Sequence, residues 1–150
     1  MNLNFSKPLF IGAFILLLCI LSFNVKGNDD NTLIVKIINT ESNKGQLVIY
    51  LFDKTEFYPK VKEKAFKTLK TKIKNNKAEV SFKGIPSGIY AIAIHHDENG
   101  NDKVDTNFLG IPNEDFGASN DAKGFMGPPS FEDASFKVDG NTKTITINMD

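Results

Sequence analysis

Seven short runs of β-branched and aromatic residues, each closed by turn formers, constrain this chain more than any other feature. They are TLIVKIIN (32–39), QLVIYLFD (46–53), LKTKIK (69–74), AEVSFKG (78–84), IYAIAIHH (89–96), ASFKV (134–138) and TKTITIN (142–148). Short runs of this composition, bounded by Gly, Asn, Asp or Ser, are strand signals. In LKTKIK small or apolar residues alternate with lysine, so one face is solvated; in AEVSFKG Val80 and Phe82 share a face. ESNKG (41–45) and DGN (139–141) each join two runs and predict two β-hairpins. No strand–helix–strand alternation is present. Residues 54–66, KTEFYPKVKEKAF, read as a loop or a short helix. The expected fold is therefore all-β: an antiparallel seven-strand β-sandwich, immunoglobulin- or prealbumin-like, with one long ordered loop.

A chain of 150 residues suits one such domain, and 41% hydrophobic residues are enough for a core. Its 18 basic residues balance its 18 acidic ones, and every basic residue is lysine. A neutral chain without arginine argues against a nucleic-acid partner, because arginine makes the commonest specific base contacts. The lysines between Lys60 and Lys77 could face an acidic polysaccharide or a membrane surface. Glu56 and Glu63 dilute that charge, and the reading adopted is a solvated strand face whose lysines discourage edge pairing.

The first 27 residues stand apart. Lys7 precedes an apolar stretch over 8–23, and Val25 and Gly27 then occupy the −3 and −1 positions of a cleavage site. This is the pattern of a secretory signal peptide at 1–27, leaving a single domain at 28–150. The alternative is an uncleaved anchor, although a span needs about 20 apolar residues. Lipid attachment at Cys19 is disfavoured by the large Leu18 before it. Cleavage removes the single cysteine together with Lys7 and Lys26, leaving 16 lysines against 18 acids and a net charge of −2. The mature chain then has no membrane span, disulfide or thiolate ligand, and its core or a bound ion must hold it. The expected location is secreted, periplasmic or otherwise in the cell envelope.

Residues 97–133 break the strand rhythm. Connections longer than about 12–15 residues are uncommon in compact domains and are usually functional or disordered. This one carries Phe108, Leu109, Ile111, Phe116, Phe125, Met126 and Phe131, so it is expected to fold over the sandwich and pack those side chains. Gly110, Gly117, Gly124, Gly127, Pro112, Pro128 and Pro129 set its bends. The other reading of Phe108, Phe116 and Phe125 is an exposed ligand face.

The connection begins with HHDENGNDKVD (95–105), where an apolar strand ends abruptly in short oxygen donors. In a calcium loop of the EF-hand type, positions 1, 3, 5 and 9 give side-chain or water-mediated ligands and position 7 a backbone carbonyl. Counting from Asp97, those positions are Asp97, Asn99, Asn101, Asp105 and the carbonyl of Lys103. Two positions depart: the sixth holds Asp102 instead of glycine, and the twelfth holds Phe108 instead of glutamate. Aspartate tolerates positive φ at some cost. The missing ligand would be water, Glu114, Asp115 or Asp121. So few charges predict weak calcium affinity, on the order of 10⁻⁴ to 10⁻³ M. The competing reading is an ion-free turn in which Asp and Asn bond their own backbone.

Residues 88–136 contain an ordered series of short motifs. His96–Asn99 and Asn101–Asp105 are followed by Pro112–Gly117, Ser119–Asn120, Gly127–Pro129 and Phe131–Ala134. With KGQLVIYLFDKTEF and FKGIPSGIYA upstream, the chain resembles the bacterial secreted family called domain of unknown function 2141 over about 33–148. Asp102 stands where that family has glycine, and Phe116 where it has tyrosine. The resemblance implies a transthyretin-like or carboxypeptidase-regulatory-like sandwich and no particular activity.

Three functions are compatible with these features. The first is a non-catalytic secreted or envelope module that binds a protein or glycan, with a calcium-type loop at 97–105. The second is a small metal-dependent enzyme, such as a hydrolase, built on His95 and His96 beside Asp97. Neighbouring strand residues point to opposite faces, however, and GASND around Ser119 lacks the second glycine of a nucleophile elbow. There is no HExxH and no phosphate-cradling glycine loop before a helix. The third is a structural or adhesive envelope protein that uses a sheet edge, with TKTITINMD as the candidate strand.

Overall fold

The computed structural model describes residues 30–149. The signal peptide expected at 1–27 and the domain boundary expected behind it lie outside the described residues. Eight strands form two sheets: β1 (Asn31–Ile38), β2 (Gln46–Phe52), β3 (Lys67–Thr71), β4 (Lys77–Ile85), β5 (Gly88–Asp97), β6 (Phe116–Ala118), β7 (Phe136–Val138) and β8 (Thr142–Asn148). The smaller sheet has the order β4-β1-β8, and the larger has β3-β2-β5-β6, with β7 also on β5. The all-β, two-sheet expectation holds, with one strand more than the seven predicted.

Period-two burial assigns the faces. On β1, Leu33, Val35 and Ile37 are buried, and they meet Leu47, Ile49 and Leu51 of β2 and Ile92 and Ile94 of β5 in one apolar core. Phe82, Ile85, Val138 and Ile147 complete it. β5 is apolar without interruption from Tyr90 to Ile94 because that stretch is covered on both sides. Its Tyr90, Ile92 and Ile94 enter the shared core, whereas Ala91 and Ala93 face a second cluster with Phe52, Tyr58 and Ala134.

Three pairings differ from expectation. The sandwich is not wholly antiparallel, because β1 and β8 run parallel, with Val35 opposite Ile145. β1 and β2 are not a hairpin: β1 pairs with β4 and β8, and β2 with β3 and β5. The chain leaving β1 is held instead by Asn76, whose carbonyl accepts the Thr40 N–H and whose side chain donates to the Thr40 carbonyl. β7 and β8 likewise separate, β7 to β5 and β8 to β1. Turn residues reverse a chain equally well within one sheet or between two. β3 and β4 do approach through a tight turn, where Lys74 and Lys77 exchange hydrogen bonds across Asn75 and Asn76, both at positive φ. Residues 54–66 are turns plus a short 3₁₀ segment at Lys62–Lys64.

The long connection carries β6, a 3₁₀ turn at Ser119–Asp121 and a one-turn helix α1 (Phe131–Ala134), capped by the Ser130 hydroxyl accepting the Asp133 N–H. Its apolar side chains are mostly not packed, which overturns that expectation. Phe108, Phe125 and Met126 are 94%, 99% and 91% exposed, and Leu109, Ile111 and Phe116 are exposed too. Of the seven, only Phe131 is half-buried, edge-on to Tyr58 at 5.8 Å. Phe52, Tyr58 and Phe131 pack over the Ala91 end of the larger sheet's outer face, and Phe116 lies against His95 while keeping one side exposed.

Candidate functional site

The acidic loop is built around Asp97, the fully buried last residue of β5. Its Oδ1 accepts the N–H groups of Gly100 (2.8 Å) and Asn101 (3.1 Å). Its Oδ2 accepts the Asp102 N–H (3.0 Å) and the Gln46 side-chain amide (2.9 Å). Desolvation pushes the Asp97 carboxyl up, but these donors pull harder, and the net effect holds it below its ordinary value. Asp102 lies at φ +63°, the left-handed turn that its place in the loop called for. Its carboxylate turns outward to Lys70 at 2.5 Å and to Gln46 at 3.0 Å.

The side chains of Asn99, Asn101 and Asp105 converge. The Asn99 amide donates to Asp105 Oδ2, and the Asn101 amide lies 3.2 Å from Oδ1. The amide oxygens accept the N–H groups of Asn101 and Lys103 in Asx turns. Lys103 enters the loop through that N–H. Of the three proposed extra ligands, Glu114 reaches the loop, accepting the N–H of Asp105 at 2.9 Å and of Glu98 at 3.3 Å. Asp115 sits 4.0 Å from His96 Nδ1, and Asp121 accepts the Asn148 N–H. Among the described residues no three His, Cys, Asp or Glu side chains form a metal cluster, so a cation here would depend on amide, backbone and water oxygens.

The two histidines face opposite sides of β5. His96 gives Nε2–H to the Lys44 carbonyl at 3.1 Å, which fixes the proton on that nitrogen and ties the β1–β2 connection to the strand end. His95 faces outward, with Nε2 2.7 Å from Glu114 and its ring stacked on Phe116 at 5.1 Å. The Nδ1 atoms of both are buried without a hydrogen-bond partner. Desolvation raises the Glu114 carboxyl, while the Asp105 N–H, His95 and the Glu98 N–H lower it, and the lowering wins.

Beside His95 the outer sheet face opens into a cleft of about 630 Å³, within the usual range for a ligand pocket. Register explains it: Tyr50, Ala93 and Ala118 form one cross-strand row, and Val48, His95 and Phe116 the next. Small alanines make a floor between aromatic walls. Residues 58–62 form one rim and the 121–129 stretch another. Ser119 anchors the latter, accepting the Ile92 N–H at 2.9 Å and donating to the Ala134 carbonyl. Ile92 lies between the stretches of β5 paired by β6 and by β7, so Ser119 supplies the partner that neither short strand reaches. Lys62 extends over the rings of Tyr50 (5.3 Å) and Phe116 (5.7 Å).

Sequence reading did not find Gln46, Tyr50, Tyr58 or Lys62. Gln46 and Tyr50 carried a usable signal, since they share the β2 face that lies opposite Asp97 and Ala93. Tyr58 and Lys62 carried none, because only tertiary packing brings residues 54–66 over the sheet.

Two sheets around one apolar core, with a loop-walled cleft on the outer face, define an all-β domain of sandwich-like build. The chain belongs to the family described as uncharacterized protein conserved in bacteria (DUF2141), which it matches over residues 35–146. No curated protein and no solved structure matches it. No helix among the described residues is long and apolar enough to cross a membrane.

Proposed function

We propose that this chain is a non-catalytic binding module of the cell envelope or the secreted fraction, presenting its 97–133 connection to a protein or glycan ligand. One observation carries the reading: Phe108, Leu109, Ile111, Phe116, Phe125 and Met126 are all exposed on that single connection. Apolar side chains gathered on an exposed loop mark interaction surfaces, whereas scattered ones need no explanation. The test is a glycan and peptide array probed with the wild type and with Phe108→Ser/Phe125→Ser. Signals that vanish in a variant of unchanged melting temperature support the module. Identical signals from both proteins sink it.

Residues 97–105 are proposed as a weak calcium-type loop that shapes this connection. In support, Asn99, Asn101 and Asp105 converge, and a half-turn of either amide, which gives up its Asx bond, would direct an oxygen toward the carboxylate. The ion-free turn has equal geometric support in the Asx hydrogen bonds. Thermal unfolding after chelation separates the two. At 100 times the dissociation constant, calcium adds about 2.7 kcal/mol and several degrees, and Asp105→Ala abolishes the response. A zinc response in place of a calcium response would redirect attention to His95 and the enzyme reading.

A further inference from the structure

The cleft holds a cation without a counter-ion. Lys62 is half-buried, and its ammonium rests over two aromatic rings. It takes part in no salt bridge among the described residues, where Lys70 and Lys137 each have one. Burial lowers its pKa, and Glu114, Glu63 and Asp97 counter that only through space. The rings that hold Lys62 also wall the cleft, and Ala93 leaves the floor between them low. His95 lines the same wall, and its Nδ1 is a second polar group left without a partner. A half-buried ammonium at the edge of an aromatic trough matches one ligand chemistry well: a flat apolar body with an anionic group at one end.

We infer that this cleft binds a small amphipathic anion of the aryl carboxylate class, its ring system against Tyr50 and Phe116 and its carboxylate on Lys62. This goes beyond the binding-module reading, which concerns the exposed apolar side chains of the 97–133 connection and not the cleft. The carboxylate supplies the salt-bridge partner that Lys62 lacks among the described residues, and the aromatic body covers the alanine floor. A neutral molecule of the same shape would keep the second contact and lose the first.

Calorimetric titration of the full chain with 2-naphthoate and with its neutral isostere 2-naphthamide tests this. Naphthoate is expected to bind about tenfold tighter than the amide, the scale of one charge-assisted contact. Lys62→Met, which keeps the apolar stem, should bring naphthoate to the level of the amide and leave the amide unchanged. Ala93→Leu, which fills the floor, should weaken both. Circular dichroism and the melting temperature check that both variants fold. Equal affinities for the two probes, or a charge preference that survives Lys62→Met, would overturn the anion assignment while leaving the cleft a ligand site. Failure of both probes to bind would overturn the cleft as the site. The module reading would then stand or fall separately, on the Phe108→Ser/Phe125→Ser array.

Discussion

Asp97 is a buried carboxylate enclosed by N–H groups, and it has a consequence in acid. Asp97 and Glu114 both titrate below their ordinary values in the folded chain. As pH falls, the unfolded chain therefore takes up protons first. The stability these groups contribute is present above the unfolded carboxyl values of about 4 and disappears as pH drops through the lower folded values. Melting temperature should fall between about pH 5 and about pH 3, and Asp97→Asn should flatten that decline. Asp97→Ala leaves the Gly100 and Asp102 N–H groups without their acceptor, with Asn101 keeping only Asn99 Oδ1, and should cost about 2–4 kcal/mol in urea unfolding. The left-handed turn at Asp102 and the opposed faces of His95 and His96 were legible in the sequence, because both follow from local backbone geometry. The exposure of Phe108 and Phe125 was not. Whether an aromatic ring finds a surface to cover depends on which surface other segments have already occupied.

Among the elements, the connections carry the sharpest constraints. Gly45 lies at φ +65°, and a Cβ there would stand 2.0 Å from the Asp97 carbonyl oxygen. Gly45→Ala should therefore be among the most damaging single substitutions, lowering stability by more than about 3 kcal/mol. Ser119→Ala removes the acceptor of the Ile92 N–H between β6 and β7. It should cost about 1–3 kcal/mol and speed amide exchange at Ile92 more than at its neighbours. Seven strands could be read from the sequence because each run is rich in β-branched and aromatic residues and bounded by turn formers. β6 could not: three residues with glycine at the centre carry no period. Pairing was illegible for a different reason. ESNKG and DGN specify that the chain reverses, and only distant partners such as Asn76 decide which sheet it enters.

For the molecule as a whole, the apolar connection should weigh little on stability and much on behaviour. Phe108→Ser/Phe125→Ser should shift unfolding free energy by less than about 0.5 kcal/mol per site, because neither ring is packed. The same variant should self-associate less at high concentration, as measured by light scattering. The family and the two-sheet build were legible in the sequence. The cleft was not, since it exists only where residues 54–66 and the 121–129 stretch meet over β5.

The parallel pairing of β1 with β8 sets an order of events. The earliest strand of the domain finds one of its two neighbours only in residues 142–148, more than a hundred positions later. While the chain emerges from a ribosome, the smaller sheet cannot close. Ile147 is then missing from the core it shares with Leu33, Val35 and Ile37. A domain whose smaller sheet closes only with β8 stays incomplete until residues 142–148 have joined it, so its slowest contact is also its most distant in sequence.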